Sequence, residues 1–82
     1  MPGRLQDHRY AAFIESLRNY RIQLDVTQIA LAARLGRPQS YVSKIERCER
    51  RLDVVEFSDW AAALGVEPDA MLKTLLATLG KR

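Results

Sequence analysis

Apolar residues recur at intervals of about three to four residues along almost the whole chain, and this spacing restricts the fold more than any other feature. It is the period of an amphipathic α-helix, and no segment alternates apolar and polar residues as a half-buried strand does. The 82 residues suffice for one domain. Because 48% of them are hydrophobic, the composition is that of a globular protein. The sequence therefore predicts an all-α fold, a compact five-helix bundle.

Capping and stop residues divide the helical pattern into five segments. Gly36 and Gly65 end two of them, because glycine takes the left-handed conformation at little cost. Asp53 with Glu56 three residues later resembles a capping box, and Pro38 suits the first turn of a helix. We expect a flexible arm at residues 1–6 and one domain at 7–82. The helices are predicted at about residues 7–23, 27–35, 38–47, 53–64 and 68–79.

Cysteine and histidine usage argues against an enzyme and against a bound metal. Cys48 is the single cysteine, so no intrachain disulfide or cysteine-rich zinc site is expected. His8 is the single histidine and lies beside the predicted arm, and no glycine-rich phosphate loop is present. We expect no catalysis, no cofactor and no metal. Since there is neither a signal peptide nor an apolar run long enough to span a bilayer, we expect no membrane contact and a cytoplasmic location at the nucleoid.

Positive charge is concentrated in one part of the chain. The formal net charge is only +3, but six of the 13 Lys and Arg residues fall between Arg34 and Arg51. A local basic patch binds phosphates even when the net charge is modest. Charge alone supports a solvated surface equally well.

The segment from Thr27 to Glu46 reads TQIALAARLGRPQSYVSKIE and has the form of a helix-turn-helix. Ala32 is small where the two helices cross, and Gly36 permits the turn. Val42 and Ile45 are three residues apart, as required to hold the second helix of the motif on the first.

The wider pattern closely resembles the XRE family of transcriptional regulators, the lambda-repressor-like helix-turn-helix domains. The resemblance covers about Leu17 to Leu72. The matching segments are Thr27-Gln28, Leu31-Ala32, Leu35-Gly36, Gln39-Ser40, Val42-Ser43-Lys44-Ile45-Glu46 and Ala61 through Val66. It implies a sequence-specific, double-stranded DNA-binding regulator whose third helix enters the major groove.

The resemblance assigns base contacts to the start of the third helix. Glutamine pairs with adenine N6 and N7, and lysine donates to guanine O6 and N7. The side chains implied to face bases are Gln39, Ser40 and Lys44, with Pro38 and Tyr41 able to contact a thymine methyl or the backbone.

Contacts to the DNA backbone are implied for the flanking residues. Gln28 lies at a helix N-terminus, which favours a phosphate, and Thr27 is explained as a helix cap, a phosphate contact or both. The predicted phosphate-contacting residues are Thr27, Gln28, Arg37, Ser43, Arg47, Arg50 and Arg51.

The resemblance also implies a structural ion pair between Arg21 and Glu46 that ties the first helix to the third. The chain departs from the family pattern at two positions. Pro38 replaces the usual serine or threonine cap of the recognition helix. Cys48 stands where glycine usually follows that helix, so a non-ideal turn, a redox effect on DNA binding and inert packing are three interpretations of this residue.

The last helix is rich in leucine and is the predicted dimer interface, through Leu72, Leu75, Leu76 and Leu79. The competing interpretation is that this stripe packs only inward, against Phe13 and Leu17. We expect a homodimeric repressor on a palindromic operator, because one recognition helix reads only a few base pairs. The alternative is an antitoxin or a restriction–modification controller protein that binds its own promoter, a protein partner or both.

Overall fold

The computed structural model describes residues 7–80, so the predicted arm at 1–6 lies outside the described residues, as do positions 81 and 82. Within residues 7–80 the chain forms five α-helices and no strand. They are α1 (His8–Gln23), α2 (Gln28–Leu35), α3 (Gln39–Glu46), α4 (Val54–Leu64) and α5 (Pro68–Leu79). The all-α prediction is confirmed, and each helix boundary lies within one residue of the predicted one. Pro38 lies before the first turn of α3 and not inside it as predicted, because its backbone is extended.

Side-chain caps define three of the helix starts. The Asp7 side chain accepts a hydrogen bond from the backbone N–H of Arg9, and the Thr27 side chain accepts one from the backbone N–H of Ala30. Asp53 and Glu56 form a complete capping box at the start of α4. Each cap satisfies an N–H group that has no partner inside its helix. Pro38 caps α3 with its extended backbone alone, without a side-chain hydrogen bond.

Two residues other than glycine adopt the left-handed conformation at turns. Gly36 and Gly65 end α2 and α4 with φ of +68° and +77°. Asp25 has φ of +60°, and Cys48 has φ of +61° directly after the recognition helix. Cys48 thus takes the backbone conformation of the glycine it replaces, at a steric cost. It is half-buried, and burial raises the pKa of its thiol, which favours the unreactive neutral form.

The core is formed by buried side chains from all five helices. α1 packs against α3 and α5, α2 against α3 and α4, and α4 against α5. Trp60 is fully buried and donates a hydrogen bond from Nε1 to the hydroxyl of Tyr41, 3.3 Å away. The eight largest fully buried side chains are Trp60, Ile14, Leu17, Leu31, Ile45, Met71, Leu75 and Val42.

The leucines of α5 divide between the core and the surface. Leu75 is 2% exposed and belongs to the core, so the structure corrects its prediction as a dimer contact. Leu72 is 36% and Leu76 48% exposed, and Leu79 is half-buried. The inward-packing interpretation therefore applies to part of the stripe only. No helix between residues 7 and 80 is long and apolar enough to cross a membrane.

Candidate nucleic-acid interface

The turn between α2 and α3 is fixed by backbone hydrogen bonds. The N–H of Gly36 donates to the carbonyl of Ala33 at 3.2 Å, and the N–H of Arg37 donates to that of Ala32 at 3.0 Å. Two of the last carbonyls of α2 thus find partners in the turn. Because Pro38 follows at once with extended backbone, α3 starts at Gln39. The helix-turn-helix is therefore rigid at the point where it presents α3.

A buried ion pair connects α1 to the end of α3. The Arg21 guanidinium binds Glu46 in a bidentate manner, with Nε to Oε2 at 2.6 Å and Nη2 to Oε1 at 2.8 Å. Its Nη1 also donates to the carbonyl of Val26 at 2.7 Å. The side chains of Arg21 and Glu46 are only 7% and 2% exposed. This pair fixes the distance between α1, the start of α2 and α3.

Two glutamines extend this pair to the surface. Gln28 donates from Nε2 to Oε1 of Glu46 at 2.9 Å. Gln39 in turn donates from Nε2 to Oε1 of Gln28 at 3.2 Å. Because a carboxylate only accepts hydrogen bonds, Glu46 determines the orientation of the Gln28 amide. Gln28 then determines the orientation of the Gln39 amide in the same way. The side-chain oxygen of Gln39 and the second N–H of its amide remain available for hydrogen bonds, and Gln39 is the exposed first residue of α3.

The start of α3 presents most of the predicted base-contacting residues to solvent. Pro38, Gln39, Ser40 and Lys44 are all exposed. Ser40 follows Gln39 directly, and Lys44 lies four residues after Ser40, about one helical turn further along the same side of α3. Pro38, Gln39 and Ser40 are thus exposed at the start of α3, and Lys44 is exposed in its last turn.

Tyr41 is the exception, and the structure corrects its predicted base contact. Its side chain packs in the core and leaves the residue only 8% exposed. Its hydroxyl accepts from Trp60 and donates to Oε2 of Glu56, each at 3.3 Å, and burial raises its pKa. Sequence carries a signal for this placement, because Tyr41, Val42 and Ile45 share one helical face.

The predicted phosphate-contacting arginines differ in how strongly other side chains hold them. Arg47 donates to Ser43 Oγ at 2.7 Å and pairs with Glu49 at 3.1 Å, which raises the pKa of Arg47 and lowers that of Glu49. The guanidinium carbon of Arg37 lies 4.5 Å from the centre of the Tyr41 ring. That of Arg51 lies 4.4 Å from the Tyr10 ring.

Arg50 is paired with a carboxylate that is itself mostly buried. Its Nη2 lies 3.0 Å from Oε2 of Glu56, and its Nη1 donates to Oε1 of the same carboxylate at 3.2 Å. This pairing raises the pKa of Arg50 and lowers that of Glu56. Arg50 is therefore a weaker candidate for a phosphate contact than Arg37.

The structure adds Arg18, a cation that the motif-based prediction omits. Its side chain is 52% exposed, and its Nε lies 3.9 Å from Oε1 of Glu46. It lines a shallow groove together with Gln28, Ser43 and Arg47. Arg18 precedes Arg21 by three residues and therefore shares its face of α1. That spacing is the sequence signal for its position.

Acidic and metal-ligating residues show no second site. Within residues 7–80, His, Cys, Asp and Glu side chains nowhere gather in a group of three that could hold a metal ion.

Comparison with known proteins agrees with this geometry. The family model described as Helix-turn-helix matches residues 17–71, which are most of the chain. A solved structure, the XRE-family like protein from Pseudomonas syringae pv. tomato str. DC3000, is 48% identical, with a TM-score of 0.78 and 92% of each chain covered. The chain belongs to the XRE family of helix-turn-helix proteins. This XRE-family protein is accordingly a DNA-binding regulator of that type, a class that is typically non-enzymatic. No curated protein sequence matches it.

Proposed function

We propose that this XRE-family protein is a cytoplasmic repressor that binds a palindromic operator as a homodimer. Base recognition is supported by the two hydrogen bonds that connect the buried carboxylate of Glu46 to Gln28 and Gln28 to Gln39. They orient a base-reading side chain before any DNA is bound. Such preorganisation reduces the entropy lost on binding.

The orientation of the Gln39 amide matches adenine. Adenine presents the N6 amino group as donor and N7 as acceptor in the major groove, so it requires one acceptor and one donor from the protein. Gln39 has both remaining, because its hydrogen bond to Gln28 uses only one N–H. Lys44 carries donors only and suits guanine O6 and N7. We therefore expect an adenine and a guanine in each half-site, with Ser40 between the two contacts.

Backbone contacts surround this reading surface. Gln28 and Thr27 lie at the N-terminus of α2, where unpaired N–H groups favour a phosphate. Arg37 is exposed and its guanidinium has no acidic partner within residues 7–80. The residues proposed to bind phosphates are Thr27, Gln28, Arg37, Ser43, Arg47 and Arg51.

The apolar surface of α5 supports the dimer. Leu72 and Leu76 are one helical turn apart and both exposed. Leu72 also lines a groove with Phe13, Leu52 and Val54, and Val54 is 77% exposed. A second copy of the chain placed on this groove would remove these side chains from water.

Selection from a random duplex library at about 0.15 M ionic strength tests the proposal, because non-specific phosphate attraction is already weakened there. We expect an enriched palindrome whose half-sites lie about one helical turn apart, each containing adenine and guanine. Enrichment of single half-sites would contradict the dimer. Absence of any enrichment would contradict sequence-specific reading by this protein alone.

Leu76→Glu should weaken the dimer by at least about tenfold in dissociation constant, since it places a charge in an apolar interface. Sedimentation equilibrium measures the effect directly. Ile29→Glu is the matched control, because Ile29 on α2 is also apolar and is 65% exposed. Equal behaviour of the two variants, or a wild-type monomer at tens of micromolar protein, would contradict an interface on α5.

A further inference from the structure

The carboxylate of Glu56 connects the loop after α3 with the recognition helix itself. Oε1 accepts from the backbone N–H of Asp53 at 3.1 Å and from Nη1 of Arg50 at 3.2 Å. Oε2 lies 3.0 Å from Nη2 of Arg50 and accepts from the hydroxyl of Tyr41 at 3.3 Å. Its side chain is only 15% exposed. A helix-capping residue thus also holds a loop arginine and a residue of α3.

The guanidinium of Arg50 is paired with Glu56 through both of its Nη atoms. The bidentate geometry is the strong form of an arginine–carboxylate pair. Nη1 of Arg50 also donates a hydrogen bond to the carbonyl of Arg51 at 3.0 Å. The guanidinium carbon of Arg50 lies 5.0 Å from the centre of the Tyr41 ring. These contacts use three of the five N–H groups of Arg50, and the negative charge of Glu56 beside the guanidinium disfavours a phosphate at the other two.

Tyr41 receives its position from the same carboxylate. It lies in the first turn of α3, two residues after Gln39 and one after Ser40. The hydrogen bonds from Trp60 and to Glu56 hold its hydroxyl against α4. The start of α3, which presents the proposed base-reading residues, is therefore fixed to α4 partly through Glu56.

We infer that Glu56 is a specificity-determining positioning residue, which keeps Arg50 away from DNA phosphates and fixes the reading end of α3 through Tyr41. This inference rests on the proposed function. A phosphate contact carries no sequence information, so a loop arginine released onto the backbone would strengthen binding to every duplex alike. A loosened Tyr41 would weaken base reading. The first effect strengthens binding without changing which duplex is preferred, and the second lowers the ratio of operator to random-sequence affinity.

The test uses Glu56→Gln, because glutamine also serves in a capping box and keeps nearly the same volume. We expect about three- to tenfold tighter binding to a random duplex, and a log–log salt dependence steeper by about 0.9, the slope of one additional phosphate contact. The operator-to-random ratio should also fall, because a loosened Tyr41 weakens base reading at the start of α3. Glu67→Gln removes one negative charge from an exposed residue before α5 and should leave the salt slope unchanged.

Arg50→Gln tests the inference in the wild-type background, even if Glu56→Gln folds poorly. We expect an unchanged salt slope on random duplex, and the double variant Arg50→Gln/Glu56→Gln should lose the gain of Glu56→Gln. A salt slope reduced by about 0.9 in Arg50→Gln would overturn the inference, since Arg50 would then contact a phosphate. That result leaves the proposed function intact. A wild-type protein without operator preference would refute the proposed function instead, and one that binds no duplex would refute both.

Discussion

Glu46→Gln should lower the free energy of unfolding by about 3–5 kcal/mol, the largest effect we expect from a single substitution outside the apolar core. The side chain of Glu46 is 2% exposed, and in the variant the buried guanidinium of Arg21 would have no carboxylate to balance its charge. Removing one member of a buried pair is costly for this reason, although a buried pair as a whole contributes little to stability. Urea denaturation monitored by the fluorescence of Trp60 measures the loss.

Glu49→Gln is the matched control for that measurement. Glu49 also pairs with an arginine, Arg47, but both side chains are more than half exposed. Exposed pairs of this kind are screened by water and contribute little. We expect no measurable change in its denaturation midpoint. Equal midpoints for Glu46→Gln and Glu49→Gln would show that the pair with Arg21 does not hold α1 and α3 together.

Gln39→Ala should weaken operator binding by about 1–3 kcal/mol, which is roughly a 5- to 150-fold loss in affinity, and should remove the preference for adenine at one position of each half-site. Binding to random duplex should not change, because a base contact adds nothing there. Titration of fluorescent duplexes with either base at that position measures both effects. Gln23→Ala, an exposed glutamine at the end of α1, should bind as the wild type does.

A double-mutant cycle of Gln28→Ala and Gln39→Ala tests whether the two glutamines act together. If the hydrogen bond between them orients Gln39, the losses should deviate from additivity by about 0.5–3 kcal/mol, as expected for residues in one network. Gln28→Ala alone should weaken binding to all duplexes and also reduce the adenine preference. Strict additivity would mean that Gln39 is oriented by the DNA and not by Gln28.

Local features of the sequence were sufficient for the secondary structure. Thr27, Asp53 and Glu56 act on backbone groups within about three residues, so the helix starts depend on sequence neighbours only. Gly36 and Gly65 end helices for an equally local reason, the left-handed backbone. The helix-turn-helix followed from such local features together with the spacing of small and apolar residues.

Periodicity could not determine how wide the buried face of each helix is. Leu72, Leu75 and Leu76 all belong to one apolar stripe, but only Leu75 lies in the core. Tyr41 has a polar hydroxyl and lies beside the proposed base-reading residues, and Trp60 and Glu56 in α4 supply the hydrogen bonds that allow its burial. Both corrections depend on residues of other helices.

The sequence by itself determined the five helices, the helix-turn-helix and the family resemblance, because caps, turns and helical spacing act over a few residues. Tertiary structure decided which side chains are free to meet DNA. It joined Glu46 to Gln28 and Gln39, buried Tyr41, and paired Arg50 with Glu56. The physical reason is that hydrogen bonds and ion pairs depend on distance in space, and these partners are brought together only when the helices pack.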